Sequence, residues 1–311
     1  MRFNSSSMNN SKTVLVLLVF SSLIISCKSK VAYQEGAYIE PYLRDSIPYT
    51  LAQHEEISDK ILLFLPPVLD EVEFEKSKVY RFFYDQGYDI LSVYKAPAQG
   101  AYYYSRKAMD FKDQNVQNVQ NLILELKRKK RIKKDSRIHI LAMEQGVYMA
   151  PSLANTFYVD TVFLINGTPF STYFSLSRIA DGDLNWNQTR QDFIKDHFAV
   201  DSLSDFKAKL AAVESSGSDV YSLGDYTNMY WLSYHANYYI DEYSQMPSYA
   251  CWLYFEDYPL YKETDFLYQK LLDQTRPQAK GKHYKLEGLG RFKDEQDWEK
   301  VMEGLEAFFK L

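Results

Sequence analysis

Apolar positions along this chain follow two rhythms. Short unbroken apolar runs, each closed by turn residues, alternate with stretches in which apolar residues return every three or four positions. Runs of the first kind read as strands buried on both faces, and stretches of the second kind as helices with one apolar side. The runs lie at 61–65, stopping at Pro66-Pro67; at 89–94, after Gln86-Gly87-Tyr88; at 138–143, stopping at Gln145-Gly146; and at 161–165, stopping at Asn166-Gly167. Two more follow at 249–255 and 283–287, and 37–42 and 49–51 are candidates for early strands. Helical spacing covers 72–84 (Val72, Phe74, Val79, Phe82, Phe83) and 115–130 (Val116, Val119, Leu122, Ile123, Leu126). It returns after Gly288-Leu289-Gly290 with Trp298, Val301, Met302, Leu305, Phe308 and Phe309. Strand alternating with helix predicts an α/β fold with a mostly parallel sheet and right-handed crossovers. The alternation lapses at about 171–245, where 189–198, 203–213 and 226–243 are polar, aromatic and helix-like. An insertion at such a point is where many α/β enzymes carry a lid over the carboxyl ends of the strands.

The N-terminus has a pattern of its own. Arg2 and Lys12 precede an uncharged apolar stretch at 14–25 that ends in Ile24-Ile25-Ser26-Cys27. A dozen apolar residues suit a signal peptide and fall short of the roughly 20 that span a bilayer. The last four residues resemble the bacterial lipobox, whose Cys is acylated and becomes the new N-terminus. Residues 1–26 are therefore expected to be a lipoprotein signal peptide, with Cys27 carrying the lipid, palmitate included, that tethers the protein to a membrane. Lys28 stands where Asp would retain a lipoprotein at the inner membrane, so an outer-membrane place in the cell envelope is expected. Residues 27–59 then serve as tether and early strands, and 60–311 form the main domain.

Composition narrows the partners. Loss of Arg2 and Lys12 with the leader moves the formal charge from −5 to −7, so nothing electrostatic favours nucleic acid. The basic tract Lys127-Arg128-Lys129-Lys130-Arg131 reads as the solvated end of a helix, where cations suit the dipole. Cys251 is the only other cysteine, so the mature chain has no intramolecular disulfide. No metal-ligand spacing and no Gly-rich phosphate loop occurs in the sequence; neither metal nor cofactor is expected.

The order of elements from about residue 60 onward resembles the α/β-hydrolase superfamily. Residues 61–67 are similar to the strand and loop that contribute an oxyanion-hole amide there, and Gln86-Gly87-Tyr88-Asp89 to the family's passage into the next strand. Ala142-Met143-Glu144-Gln145-Gly146 falls where the family has its nucleophile elbow, Gly-x-Ser-x-Gly. Phe255-Glu256-Asp257-Tyr258-Pro259 resembles the acid loop, and Gly288-Leu289-Gly290-Arg291-Phe292 the histidine loop. The resemblance implies that Glu144, Asp257 (or its neighbour Glu256) and Arg291 occupy the triad positions. Glutamate has replaced the serine, and arginine, which does not titrate below pH ~12, cannot act as the base. These residues are expected to converge as a satisfied ion network in a catalytically degenerate member that binds a ligand or a partner. The alternative is an active hydrolase of ester or acyl substrates using Glu144 at the elbow. A purely structural lipoprotein is a third class.

Tyrosine is abundant, with 27 copies against 12 glycines. Tyr230, Tyr234 and Tyr238 share one helical face with Trp231 beside them. Such a face suits binding of sugars, peptides or acyl chains, or else the packing of a lid helix on the core.

Overall fold

In a computed structural model the described residues are 32–39, 46–67, 69, 72–93, 111–144, 146–168, 170–216, 220–224, 226, 228–233, 240–275 and 281–310. Tyr33 to Leu311 form one unit, built on eight strands: β1 Ala32–Ile39, β2 Ser46–Gln53, β3 Lys60–Leu65, β4 Asp89–Val93, β5 Arg137–Met143, β6 Val159–Ile165, β7 Tyr249–Phe255 and β8 Gly281–Leu286. They lie in the order β1-β2-β4-β3-β5-β6-β7-β8. β2 runs antiparallel to β4, and from β4 through β3, β5, β6 and β7 to β8 every pairing is parallel. The strands at the centre are buried over nearly their whole length, as in β4 and in all of β3 beyond its first residue. Helices therefore cover both faces of this part of the sheet, which is why these strands read as unbroken apolar runs rather than alternating ones.

Ten α-helices are seen among the described residues. α1 (Lys78–Asp85), α2 (Phe111–Arg128) and α3 (Gly146–Thr156) connect the first parallel strands. Between β6 and β7 lie α4 (Thr172–Asp181), α5 (Gln188–Phe198), α6 (Leu203–Ser215), α7 (Asn228–Ser233) and α8 (Ile240–Gln245). α9 (Glu263–Thr275) joins β7 to β8, and α10 (Glu295–Phe309) closes the chain. α10 packs its predicted face, with Trp298, Val301 and Leu305 at 2% exposure or less. No helix among the described residues is long and apolar enough to cross a membrane.

One expectation is corrected and one helix is added. The helix expected over 72–84 is a short 3-10 turn at Phe74–Lys76 followed by α1. Ser77 breaks it, because its extended backbone lets Oγ accept from the Tyr80 amide as an N-cap. Of the helix-like stretch expected over 226–243, α7 and α8 are seen, and 234–239 lie outside the described residues. α9 was not foreseen, because it turns Asp265 and Gln269 inward, at 1% and 0% exposure, and leaves Leu267 and Leu271 outward at 58% and 54%. A helix with polar residues on its buried side carries no apolar periodicity to read.

Candidate functional site at the strand ends

The loops after β5, β7 and β8 leave the sheet at the carboxyl ends of parallel strands, where open α/β sheets place their ligands. At the end of β5 the chain turns sharply into α3 through Glu144, whose φ is +45°. A non-glycine residue in this region is strained, and the surroundings must impose it. The Glu144 amide donates to the Ile165 carbonyl at 3.0 Å, and its own carbonyl accepts from Val147 at 3.1 Å. Gly146 is required two residues on, because a Cβ there would lie 2.6 Å from the Leu65 carbonyl oxygen of β3. A strained strand-to-helix turn thus stands where the sequence reading expected an elbow, with Glu144 and its carboxylate in it.

That carboxylate is 6% exposed. Tyr258, itself buried in the loop after β7, donates its hydroxyl to Glu144 Oε1 at 2.6 Å. The acid-loop part of the expected ion network does not hold. The Asp257 side chain is exposed, its amide donating to the Gly288 carbonyl at 3.1 Å, and Glu256 pairs with Lys285 at 2.9 Å. The loop reaches Glu144 through Tyr258, one residue further along.

Arg291 sits in a loop shaped by backbone of positive φ at Gly288, Gly290 and Phe292. A side chain at Gly290 would collide with the Phe255 ring. Arg291 Nη1 donates to Asp196 at 3.0 Å and Nη2 lies 3.2 Å from His197 Nε2, both on α5; the guanidinium also stands 5.6 Å over the Phe193 ring. Hydrogen bonding from Arg291 holds the Asp196 carboxyl below the usual carboxylate range. Residue 291 therefore fastens the insertion to the loop after β8. His197 comes within reach of this position, but its Nε2 faces a guanidinium, which offers only donors; the nitrogen is engaged as an acceptor.

Asn166, at the end of β6, ties the frame together. Its Nδ2 donates to the Gly290 carbonyl at 2.9 Å, and its Oδ1 accepts from the Phe255 amide at 3.2 Å. Sequence reading missed Tyr258, Asn166, Asp196 and His197. Only the turn signal Asn166-Gly167 gave any hint of the second. On the oxyanion side, β3 is followed by Pro66 and Pro67, which have no amide hydrogen to offer.

The remaining candidates separate. Tyr230 and Trp231 are buried at 6% and 1% exposure, Trp231 Nε1 donating to the Leu223 carbonyl at 2.8 Å. At these two residues the expected binding face is instead the interior of the insertion. Tyr234, Tyr238 and Cys27 lie outside the described residues. The other described histidines lie in carboxylate pairs: His54 with Asp89, His139 with Asp160, His283 with Asp273. Burial pulls His139 down to about 4. No group of three His, Cys, Asp or Glu side chains among the described residues is placed to hold a metal.

Solved structures share this fold. A carboxyl esterase from Bacillus coagulans, solved with glycerol, aligns at TM-score 0.56 and 12% identity, covering 90% of this chain and 99% of its own. A carboxylesterase of Nitrososphaera gargenis aligns at TM-score 0.54 and 9% identity, covering 88% and 98%. The Pyrococcus horikoshii acylaminoacyl peptidase aligns at 0.58 and 13%, over 94% of this chain and 43% of the peptidase. No family model matches the chain, and no curated protein matches it in sequence. At these identities the likeness concerns the fold, and with the strand order above it defines an α/β-hydrolase-like fold.

Proposed function

We propose that this protein is a lipid-anchored lipoprotein of the cell envelope, with an α/β-hydrolase-like domain that has lost serine-hydrolase activity and binds a ligand or partner. One observation carries the reading: the elbow residue is a buried glutamate engaged by Tyr258. Around it, the base position is an arginine bonded to the insertion, and prolines follow β3. Acyl transfer needs a nucleophile whose proton a base removes, and donors aimed at the oxyanion. The hydroxyl nucleophile and its base are both replaced, and Pro66 and Pro67 offer no amide to an oxyanion.

The purified protein is expected to leave p-nitrophenyl butyrate unhydrolysed above background between pH 6 and 9. Turnover abolished by Glu144→Gln would instead establish the second reading, an active hydrolase of ester or acyl substrates. The strained φ at Glu144 favours that reading, since it aims the carboxylate as the family aims its nucleophile. The anchor rests on the sequence around Cys27 and is tested separately. Metabolic labelling with an alkyne fatty acid should mark the wild type and spare Cys27→Ser. Fractionation should place the labelled protein with the outer membrane.

A further inference from the structure

A cavity of about 240 Å³ opens between α4 and the start of α9, apart from the elbow. Its floor is a chain of four charges. Arg178 donates from Nε to Asp183 at 2.7 Å and from Nη1 to Asp265 at 3.0 Å, and Lys262 reaches the other oxygen of Asp183. Two cations and two carboxylates cancel, so the floor has no net charge, yet it is not used up. Arg178 Nη2 and the Thr264 hydroxyl make no hydrogen bond among the described residues, and both residues line the cavity. One wall is aromatic: Phe170, which stacks under Arg178 at 5.3 Å, and Tyr268, 39% exposed, whose ring centroid is 6.0 Å from that of Phe170.

The guest follows from the balance of these groups. A simple anion would meet two carboxylates, and a simple cation would meet a guanidinium and an ammonium. The cavity instead offers N–H and O–H donors and carboxylate acceptors side by side, under an exposed ring face. A neutral ring with hydroxyls around its rim and C–H bonds on its faces matches both features. The volume is below the ~300–1,000 Å³ of sites for drug-sized ligands, which leaves room for a single ring. We propose that this cavity binds one neutral sugar ring, such as the terminal residue of a glycan, with the floor bonding its hydroxyls and Tyr268 covering a face. The site does not depend on the reading of Glu144.

The test titrates the whole mature chain with D-glucose, D-galactose and N-acetyl-D-glucosamine, following saturation transfer to the sugar by NMR. Sodium phosphate and tetramethylammonium chloride are the charged controls. At least one sugar is expected to bind with Kd of about 1–10 mM, a strength ordinary for a single ring. Tyr268→Ala should weaken it about three- to tenfold, the scale of one aromatic contact, with an unchanged melting midpoint because the ring is exposed. Asp183→Asn should weaken it further, but it also disturbs Arg178 and Lys262, so Tyr268→Ala decides. The proposal is overturned if none of the three sugars binds at about 50 mM, or if sugar binding is unchanged in Tyr268→Ala. It is also overturned if phosphate or tetramethylammonium takes the Tyr268-dependent place. Hydrolysis of butyrate would break the reading of the elbow and leave this one standing.

Discussion

Glu144 and Asp265 are both almost wholly buried, at 6% and 1% exposure, and are held in opposite ways. Glu144 stands on strained backbone at a strand end and takes a hydrogen bond from a neutral phenol. Asp265 lies in the first turn of a regular helix against a guanidinium. At the elbow the backbone at positive φ is held by the β5-to-α3 turn, the close approach of Gly146 to Leu65 and the amide bond to β6. At α9 nothing strains the backbone, and the charge pair itself is the packing. The first arrangement is a buried carboxylate on a strained turn at a strand end. The second is a polar core that a helix can have only if its partner arrives from elsewhere.

The comparison breaks most easily at Arg178. Arg178→Met leaves Asp265 buried without its counter-ion, a change that typically costs about 3–5 kcal/mol, or of order 10 °C in melting midpoint. Its pH dependence has a definite sign. Burial already holds the Asp265 carboxyl above the usual range, with Arg178 opposing. A carboxyl raised in the folded state costs stability when ionised, above its folded pKa, and that cost lifts as pH falls toward the unfolded value near ~4. The defect of Arg178→Met, measured by urea denaturation, should therefore shrink between pH 7 and about 5. It should also be largely repaired by adding Asp265→Asn. A pH-independent defect would mean that lost packing, and not charge, is responsible.

For the bond between Tyr258 and Glu144 the expected effect is smaller, because its donor is a neutral phenol. Tyr258→Phe removes the donor to a buried carboxylate, worth about 2 kcal/mol, and a double-mutant cycle with Glu144→Gln should show coupling above about 0.5 kcal/mol. Additive losses would show that the two side chains are merely neighbours.

The same contrast explains what could be read from the sequence. Strands β3 to β7 were legible because burial on both faces leaves unbroken apolar runs, and the elbow was legible because Gly146 and the turn after β5 are local. α9 was not, because its buried side is Asp265 and Gln269, whose partners Arg178 and the Gly167 carbonyl lie 87 and 102 residues away. The break at Ser77 is a single cap inside an apolar pattern that continues across it. At the site, Tyr258 meets Glu144 across 114 residues and Arg291 meets Asp196 across 95. Spacing does not reveal such pairs; only the folded sheet brings their loops together. In the loop after β7 the sequence pointed to Asp257, but the side chain that turns inward is its neighbour Tyr258, a one-residue difference in a turn.

Arg291→Ala should matter less for stability than for the insertion. Asp196 is 45% exposed at its side chain, so the ion pair is screened, and a loss of about 1 kcal/mol or less is expected. Hydrogen exchange should nonetheless quicken over α5, which loses its tie to the loop after β8, while α10 stays protected. Equal quickening of both helices would mean that Arg291 supports the whole sheet end instead of fastening the insertion.

The smallest effect is expected where a working hydrolase would show one of the largest. In a triad the acid orients the histidine and must be buried against it. Here the side chain of Asp257 is exposed and makes no hydrogen bond among the described residues; only its amide is used, by Gly288. Asp257→Asn keeps that amide and changes one solvated charge, so the melting midpoint should move by no more than about 1–2 °C. Sugar binding at the α4–α9 cavity should also be unchanged. A shift several times larger would mean that Asp257 is drawn inward in solution, restoring an acid to the loop and weakening the case that Tyr258 has taken its place beside Glu144.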